Sequence, residues 1–224
     1  MKLVVASTNR GKLREISLAL SGLDVDLVPV DSLVPGFAPE ETGATFLENA
    51  AIKAQAAFDA TGLPCVADDS GLCVHGLGLE PGVRSSRYAG DHCTDAERIR
   101  FLLDRMHGIT GDGRRAYFSC TVAAVLPSPC GMNVPGVLAC GHLTLPAHVV
   151  GITTEGRLPG TIGLVPRGGN GFGYDPLFHP DADPSRTLAE FGTEEKNRIS
   201  HRGQAFALLA RVLARNLHFR CKQT

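Results

Sequence analysis

Apolar positions along the chain alternate between two periods, and the alternation lays out the elements. Leu3–Ala6 is a short continuous apolar run and predicts a buried strand. Ser7 to Lys12 reads as a turn, after which Leu13, Ile16 and Leu20 fall at helical spacing on one stripe. Val25–Val30 predicts a second strand, and Pro35 to Gly43 a loop rich in acids and turn formers. Thr45 with Glu48 forms a capping-box pattern that opens a helix running to about Ala60. Pro64–Ala67 predicts a strand, and glycine and proline make Gly76–Gly90 a loop. Thr94 with Glu97 repeats the capping pattern ahead of a stripe of Ile99, Leu102, Leu103 and Met106.

The second half is richer in strand-like runs. Ala116–Leu126 is a long one, Pro127–Gly136 is a turn-rich break, and 137–165 holds two or three further strand candidates. Gly168 to Gly171 predicts a loop before the aromatic stretch Phe172–Phe178. Thr187 with Glu190 predicts a short helix. Ser200 caps a last helix with a stripe of Phe206, Leu209, Leu213 and Leu217. Helices interleaved with many strands predict one α/β domain over residues 1–224 with a sheet of mixed direction.

Composition narrows the function classes. The chain has 224 residues and a formal net charge of -1, so no global basic field recruits nucleic acid or an anionic membrane. A phosphate ligand would need a local cation cluster. No apolar run is long enough to span a bilayer, and the opening Leu3–Ala6 run is too short for a signal-peptide core. The seven cysteines are odd in number and lack C-x-x-C spacing, which predicts reduced thiols in a cytoplasmic protein.

The segment with the most chemical content is Asp68-Asp69, placed after Cys65-Val66-Ala67 and before Ser70-Gly71. A strand ending in two acids presents charge at the rim of a sheet, where Mg²⁺ binds through one or two carboxylates plus waters and phosphates. The same Asp, Ser and Gly residues also suit an Asx-turn. Five other clusters carry polar chemistry, each with an ordinary alternative. Ser7, Thr8, Asn9, Arg10, Gly11 and Lys12 lie where a strand meets a helix N-terminus, a site for anions or a plain cap. Glu40, Glu41 and the near-helical set Glu48, Asn49 and Lys53 offer metal ligands and a phosphate donor, or a solvated face. Arg84 and Arg87 in a Gly/Pro-framed loop suit bidentate phosphate binding, or surface ion pairs. Phe172, Gly173, Tyr174 and Asp175 suit a stacking platform for a base, or a strand end with core aromatics. Lys196 and Ser200-His201-Arg202 add donors for a keto oxygen or phosphate, with a structural histidine as the alternative.

Taken in order, these segments resemble the inosine/xanthosine triphosphate pyrophosphatases. The blocks are S-T-N-x-x-K at the start, E-E-T-G-x-T-F-x-E-N-A at 40–50 and A-D-D-S-G-L at 67–72. They continue with P-G-V-x-S-x-R-Y-A-G at 81–90, G-F-G-Y-D-P-x-F at 171–178 and S-H-R-x-x-A at 200–205. The resemblance implies a two-lobed fold with an elongated mixed sheet, flanking helices and a cleft between lobes. It also implies Mg²⁺ dependence, a homodimer, and hydrolysis of deaminated purine nucleoside triphosphates to monophosphate and pyrophosphate. By the same resemblance, Thr8 to Lys12 and Lys53 would hold the phosphates, with Ser7 and Arg87 beside them. Glu40 and Asp69 would be metal-site acids, with Asp68 and Glu41 as further acids at hand. Asp69 would also be the base for the attacking water, next to Asp68 and Ser70. Phe172, Gly173, Tyr174, Asp175, Lys196, His201 and Arg202 would surround the base. The chain departs from the family pattern in Arg84, where an aromatic is common, and in Ser86, where alanine is. It also has a longer 127–157 region and no tryptophan.

Three readings follow from these residues: a (d)ITP/XTP pyrophosphohydrolase, a pyrophosphatase of modified pyrimidine nucleotides, and a non-catalytic nucleotide sensor. The Gly-Phe-Gly-Tyr-Asp run argues against the second. The presence of Glu40, Asp68 and Asp69 argues against the third.

Overall fold

A computed structural model of the protein describes residues 1–127 and 149–216. The chain forms the mixed α/β fold expected from its sequence. Its elements run β1 (Lys2–Val5), α1 (Arg10–Ala19), β2 (Asp26–Pro29), α2 (Phe46–Thr61), β3 (Cys65–Val74) and α3 (Asp95–Arg105). They continue with β4 (Arg115–Pro127), β5 (Val149–Ile162), β6 (Phe178–Pro180), α4 (Thr193–Ile199) and α5 (His201–Asn216). Among the described residues six strands make one sheet in the order β2-β1-β3-β4-β5-β6. β1 runs parallel to β2 and β3, while β6 runs antiparallel to β5, so the sheet is of mixed direction.

The described residues form two compact units. One comprises residues 1–69, 120–127, 149–155 and 202–216, and the other 70–119 and 156–201. The first unit shows the strand period clearly. Leu3, Val5, Val66, Cys120, Val122, Ala124 and Leu126 face α1 and α5, packing on Ile16, Leu20, Phe206, Leu209 and Leu213. The residues between them, Val4, Ala6, Cys65, Ala67, Ala123 and Val125, face α2 and pack on Ala50, Ala54 and Ala57. Successive strand side chains point to opposite faces, so both faces are buried and the runs read as continuously apolar. The second unit packs Leu72, Val74, Phe118, Leu158 and Ile162 against Leu102 and Met106 of α3 and against Tyr174, Phe178, Leu188 and Phe191.

Three expectations are corrected. The strand after Pro64 does not end at the acids: β3 continues through Asp68, Asp69, Ser70 and Gly71 to Val74, so there is no turn there. Apolar residues on both sides and pairing on both edges override the turn preference of Asp, Ser and Gly. The Gly76–Gly90 loop contains two 3₁₀ turns, His75–Leu77 and Gly82–Arg87. Ser200 follows a short helix, α4, that the pattern did not predict. Pro127 ends β4, while residues 128–136 of the expected break, most of the 127–157 extension, and Leu217 lie outside the described residues, as do Cys130, Cys140 and Cys221. The described cysteines, Cys65, Cys73, Cys93 and Cys120, are free thiols. Among the described residues no helix is long and apolar enough to cross a membrane.

The start of α2 fixes the acidic loop before it. Thr45 Oγ1 accepts the Glu48 amide at 3.1 Å, and Glu48 Oε2 accepts the Thr45 and Ala44 amides at 3.0 and 2.7 Å. Asn49 Oδ1 accepts the Gly43 amide at 2.8 Å. A Cβ at Gly43 would lie 2.6 Å from both Asn49 Oδ1 and Glu48 Cβ, so glycine is required by close approach. Thr45→Ala is expected to lower stability by about 1 kcal/mol, the usual worth of a hydroxyl N-cap. Urea denaturation checks this, with the midpoint falling and the slope unchanged.

Candidate functional site

Because Asp68 and Asp69 are neighbours in one strand, their carboxylates leave the sheet on opposite faces. Asp68 follows the parity of Val66 and meets α1 and α5. Asp69 follows the parity of Ala67 and meets α2.

On the first face, Asp68 Oδ2 takes Lys12 Nζ at 3.0 Å and Arg202 Nε at 3.1 Å. Arg202 Nη1 bonds Glu15 Oε2 at 2.5 Å, and Lys12 and Glu15 lie three residues apart on the same side of α1. Arg202, Asp68 and Glu15 are all buried, and Arg202 is only 1% exposed. Cys120 Sγ contacts Asp68 Oδ2 at 3.9 Å, while Asp68 Oδ1 is buried with no hydrogen-bond partner among the described residues. Burial works to raise the Asp68 pKa, but Lys12, Arg202 and Lys53 outweigh it and hold the carboxyl well below the usual aspartate range. Burial works to lower the Arg202 pKa, and Asp68 and Glu15 reverse it, so the guanidinium stays charged. Buried Cys120 has its thiol pushed up, chiefly by desolvation, and is no nucleophile.

On the second face, Lys53 Nζ lies 3.0 Å from Asp69 Oδ1 and 2.8 Å from Glu41 Oε1. Asn49 Nδ2 donates to Asp69 Oδ2 at 3.3 Å. Asn49 and Lys53 are four residues apart on α2, so one helix face grips both carboxylate oxygens. Burial raises the Asp69 pKa; Lys53 and Lys12 oppose it, Glu41 adds to it, and the net direction is up. For Lys53, burial pulls down, but Asp69, Asp68 and Glu41 prevail and the ammonium is retained. The two adjacent acids are thus pushed apart. Asp68 is a fixed anion, and Asp69 holds a proton more readily than an ordinary aspartate. Divergent environments of this kind sort carboxylates into acid/base and structural roles.

The remaining first-unit candidates are simpler. Asn9 caps α1, accepting the Gly11 and Lys12 amides at 2.8 and 3.1 Å, and Ser7 Oγ accepts the Asn9 amide at 3.3 Å. Thr8 and Arg10 are exposed, and Gly11 is half-buried. Of the two loop acids, Glu41 reaches Lys53, whereas Glu40 is exposed. Glu41 and Asp69 are the oxygen donors on hand for a hard cation. Among the described residues no three His, Cys, Asp or Glu side chains group tightly enough to enclose a metal by themselves.

In the second unit, Asp175 Oδ2 takes Lys196 Nζ at 2.6 Å and the Phe172 amide at 2.9 Å. Lys196 Nζ sits 4.8 Å from the Phe172 ring centroid, a cation–π contact. Tyr174 is buried, its hydroxyl donating to Ser85 O at 3.0 Å. The His201 ring stacks on Phe118 at 4.8 Å between centroids and 10° between planes. Ser70 and Arg87 are half-buried. Arg202, assigned by sequence to the same group, bonds Asp68 through Nε and Glu15 through Nη1.

Sequence reasoning did not single out Glu15, Phe118 or Cys120 for these contacts. Glu15 had one available signal, its three-residue spacing from Lys12. Phe118 and Cys120 read only as members of a strand.

The Ham1 family sequence model matches residues 3–212. A curated relative from Deinococcus deserti, named dITP/XTP pyrophosphatase, is 47% identical over 93% of this chain and 87% of its own length. One of the same name from Coxiella burnetii is 43% identical over 95% of this chain and 96% of its own. A solved structure described as a HAM1 protein from Coxiella burnetii superposes with a TM-score of 0.77. It is 41% identical and covers 96% of this chain and 98% of its own.

The folded chain binds the Asp68 proton less tightly than the unfolded chain does, so acid favours unfolding. The stabilisation is complete above the ordinary aspartate value of about 3.9 and drains as pH falls toward the depressed folded value. Asp68→Asn is expected to cost roughly 3–5 kcal/mol at pH 7, because it breaks a buried ion network while leaving the cations in place. It should also flatten the decline of stability below about pH 4. Urea melts across pH 3 to 7 check both effects.

Proposed function

The chain belongs to the Ham1 family, and we propose that it hydrolyses deaminated purine nucleoside triphosphates, dITP, ITP and XTP, to the monophosphate and pyrophosphate. The observation that carries the proposal is the Asp69 carboxylate, buried in β3 with a raised proton affinity and flanked by Lys53, Asn49 and Glu41. Such a group suits a general base. Two carboxylates, Asp69 and Glu41, with Glu40 in the same loop, suit Mg²⁺, which takes one or two protein oxygens and completes its shell with phosphate oxygens and waters. The metal would neutralise charge developing on the transferring phosphoryl group and orient its oxygens.

Asp69 accepts a proton from water as the water oxygen bonds to phosphorus. The bridge between the α- and β-phosphates breaks, and its electron pair leaves with pyrophosphate. Lys53 keeps Asp69 in place and, with Lys12, contributes positive charge for the polyphosphate. The α1 N-terminus, with Ser7, Thr8, Asn9, Arg10 and Gly11, adds backbone and side-chain donors; Ser70 and Arg87 are assigned to the same end of the substrate. Asp68 serves as the ionised partner that holds Lys12 and Arg202.

The base is assigned to Phe172, Gly173, Tyr174, Asp175, Lys196 and His201. A flat ring provides the stacking surface. The Lys196 ammonium is a donor, so it favours a six-position keto oxygen over the amino group of adenine. A site built on such a donor can reject the wrong base strongly, because the mismatch leaves buried polar groups unmatched. A homodimer and a cytoplasmic location complete the proposal, in keeping with a nucleotide-pool enzyme whose described thiols are free.

A pyrophosphate-release assay with Mg²⁺ across dITP, XTP, dGTP, ATP and dUTP tests the activity. Turnover is expected with dITP and XTP, releasing pyrophosphate. Orthophosphate alone, or no dITP turnover, would contradict the proposal. Asp69→Asn should lower kcat by about a thousandfold, the range for losing a general base, with an unchanged circular dichroism spectrum. A fully active variant would remove Asp69 from the role.

A further inference from the structure

The loop that carries Phe172 and Tyr174 is held at its tip by a side chain far away in sequence. The Gly173 amide donates to Asp95 Oδ2 at 2.6 Å, across 78 residues. A carboxylate accepting at this distance makes a charge-assisted bond, about twice as strong as a neutral one. Asp95 is itself fixed. It is the first residue of α3, directly after Thr94, whose reciprocal bonds with Glu97 form a complete capping box. Its second oxygen, Oδ1, takes Arg98 Nη2 at 3.1 Å, and the same guanidinium nitrogen donates to Cys93 O at 3.1 Å. Each oxygen of the carboxylate therefore has one assigned partner.

The loop needs such an anchor. Gly171 and Gly173 have positive φ, +77° and +63°, and nothing lies within 4 Å of a Cβ position at Gly173. Two glycines give the segment broad backbone freedom; Gly171 lies close against the Asp175 carboxylate, and Gly173 is buried with open space at its Cβ position. Further ties on either side of Gly173 include the Phe172 amide on Asp175, the Lys196–Asp175 ion pair and the Tyr174 hydroxyl on Ser85 O. From these contacts we infer that Asp95 is a positioning residue for nucleotide-base recognition. By holding the Gly173 amide it sets where the Phe172 ring and the neighbouring Lys196 ammonium stand before substrate arrives. The inference rests on the assignment of the Phe172–Asp175 segment to the base. Asp95 touches neither the base nor the phosphates and takes no part in proton transfer.

A residue with this role affects binding more than the chemical step. Removing uniform binding raises KM and leaves kcat in place. The test is steady-state dITP hydrolysis by the wild type, Asp95→Ala and Asp95→Asn, with melting temperatures measured alongside. In Asp95→Ala, KM for dITP should rise about tenfold while kcat changes less than about twofold. Asp95→Asn keeps an acceptor for the Gly173 amide and should lie closer to wild type. If Asp95→Ala does not fold, Asp95→Ser takes its place, since serine suits the first helical turn but is too short to make the bond. An unchanged KM in the Ala or Ser variant overturns the inference, as does a fall in kcat that follows the melting temperature at constant KM. Absence of wild-type dITP turnover would instead strike the assignment of the activity, so the two failures are separable.

Discussion

A buried charge on a central strand is the constraint on which much of the first unit depends. Asp68 is 2% exposed, and an isolated ionised carboxylate cannot remain at such a position. Two cations from different parts of the chain make it tolerable: Lys12 from α1 and Arg202 from the start of α5. Arg202 then needs a second anion, which Glu15 supplies. The network joins residues 12, 15, 68 and 202, and so ties together both helices on one face of the sheet and the strand they cover. Removing any one member leaves an uncompensated charge in the interior, which costs more than the pair contributes.

The pleat of β3 turns this structural device into a chemical one. The residue next to Asp68 must point to the other face, where α2 rather than α1 supplies its partners. Asp69 therefore has its own lysine, an amide donor from Asn49 and a second acid from Glu41. It escapes the double cationic clamp that holds its neighbour ionised. Two identical side chains in adjacent positions thus have opposite proton affinities, set by which helix lies over each face.

The parts of this arrangement visible in the sequence are those with local causes. Both helix-opening capping boxes, Thr45 with Glu48 and Thr94 with Glu97, form as their spacing predicts, because the bonds close within four residues. Apolar alternation gives the strand faces. The Asp68-Asp69 step was hidden, since turn-forming residues outweigh strand pairing when only neighbours are read. The bonds of Arg202 to Asp68 and Glu15 are invisible in the sequence because those partners lie 134 and 187 residues away. Asp95 was invisible for the same reason: an acid in a first helical turn is ordinary, and only the fold brings the Gly173 amide to it. The ordered sequence blocks pointed to the family; the division of labour among the residues within them required the structure.

The central claim is that the faces of β3 separate the two acids. The most direct measurement is an NMR titration of the side-chain carboxyl carbons of Asp68 and Asp69 in the folded protein. Asp69 should titrate above the ordinary aspartate value of about 3.9. Asp68 should stay ionised to the lowest pH at which the fold persists. Titration of both at the ordinary value, or of Asp69 below Asp68, would contradict the account.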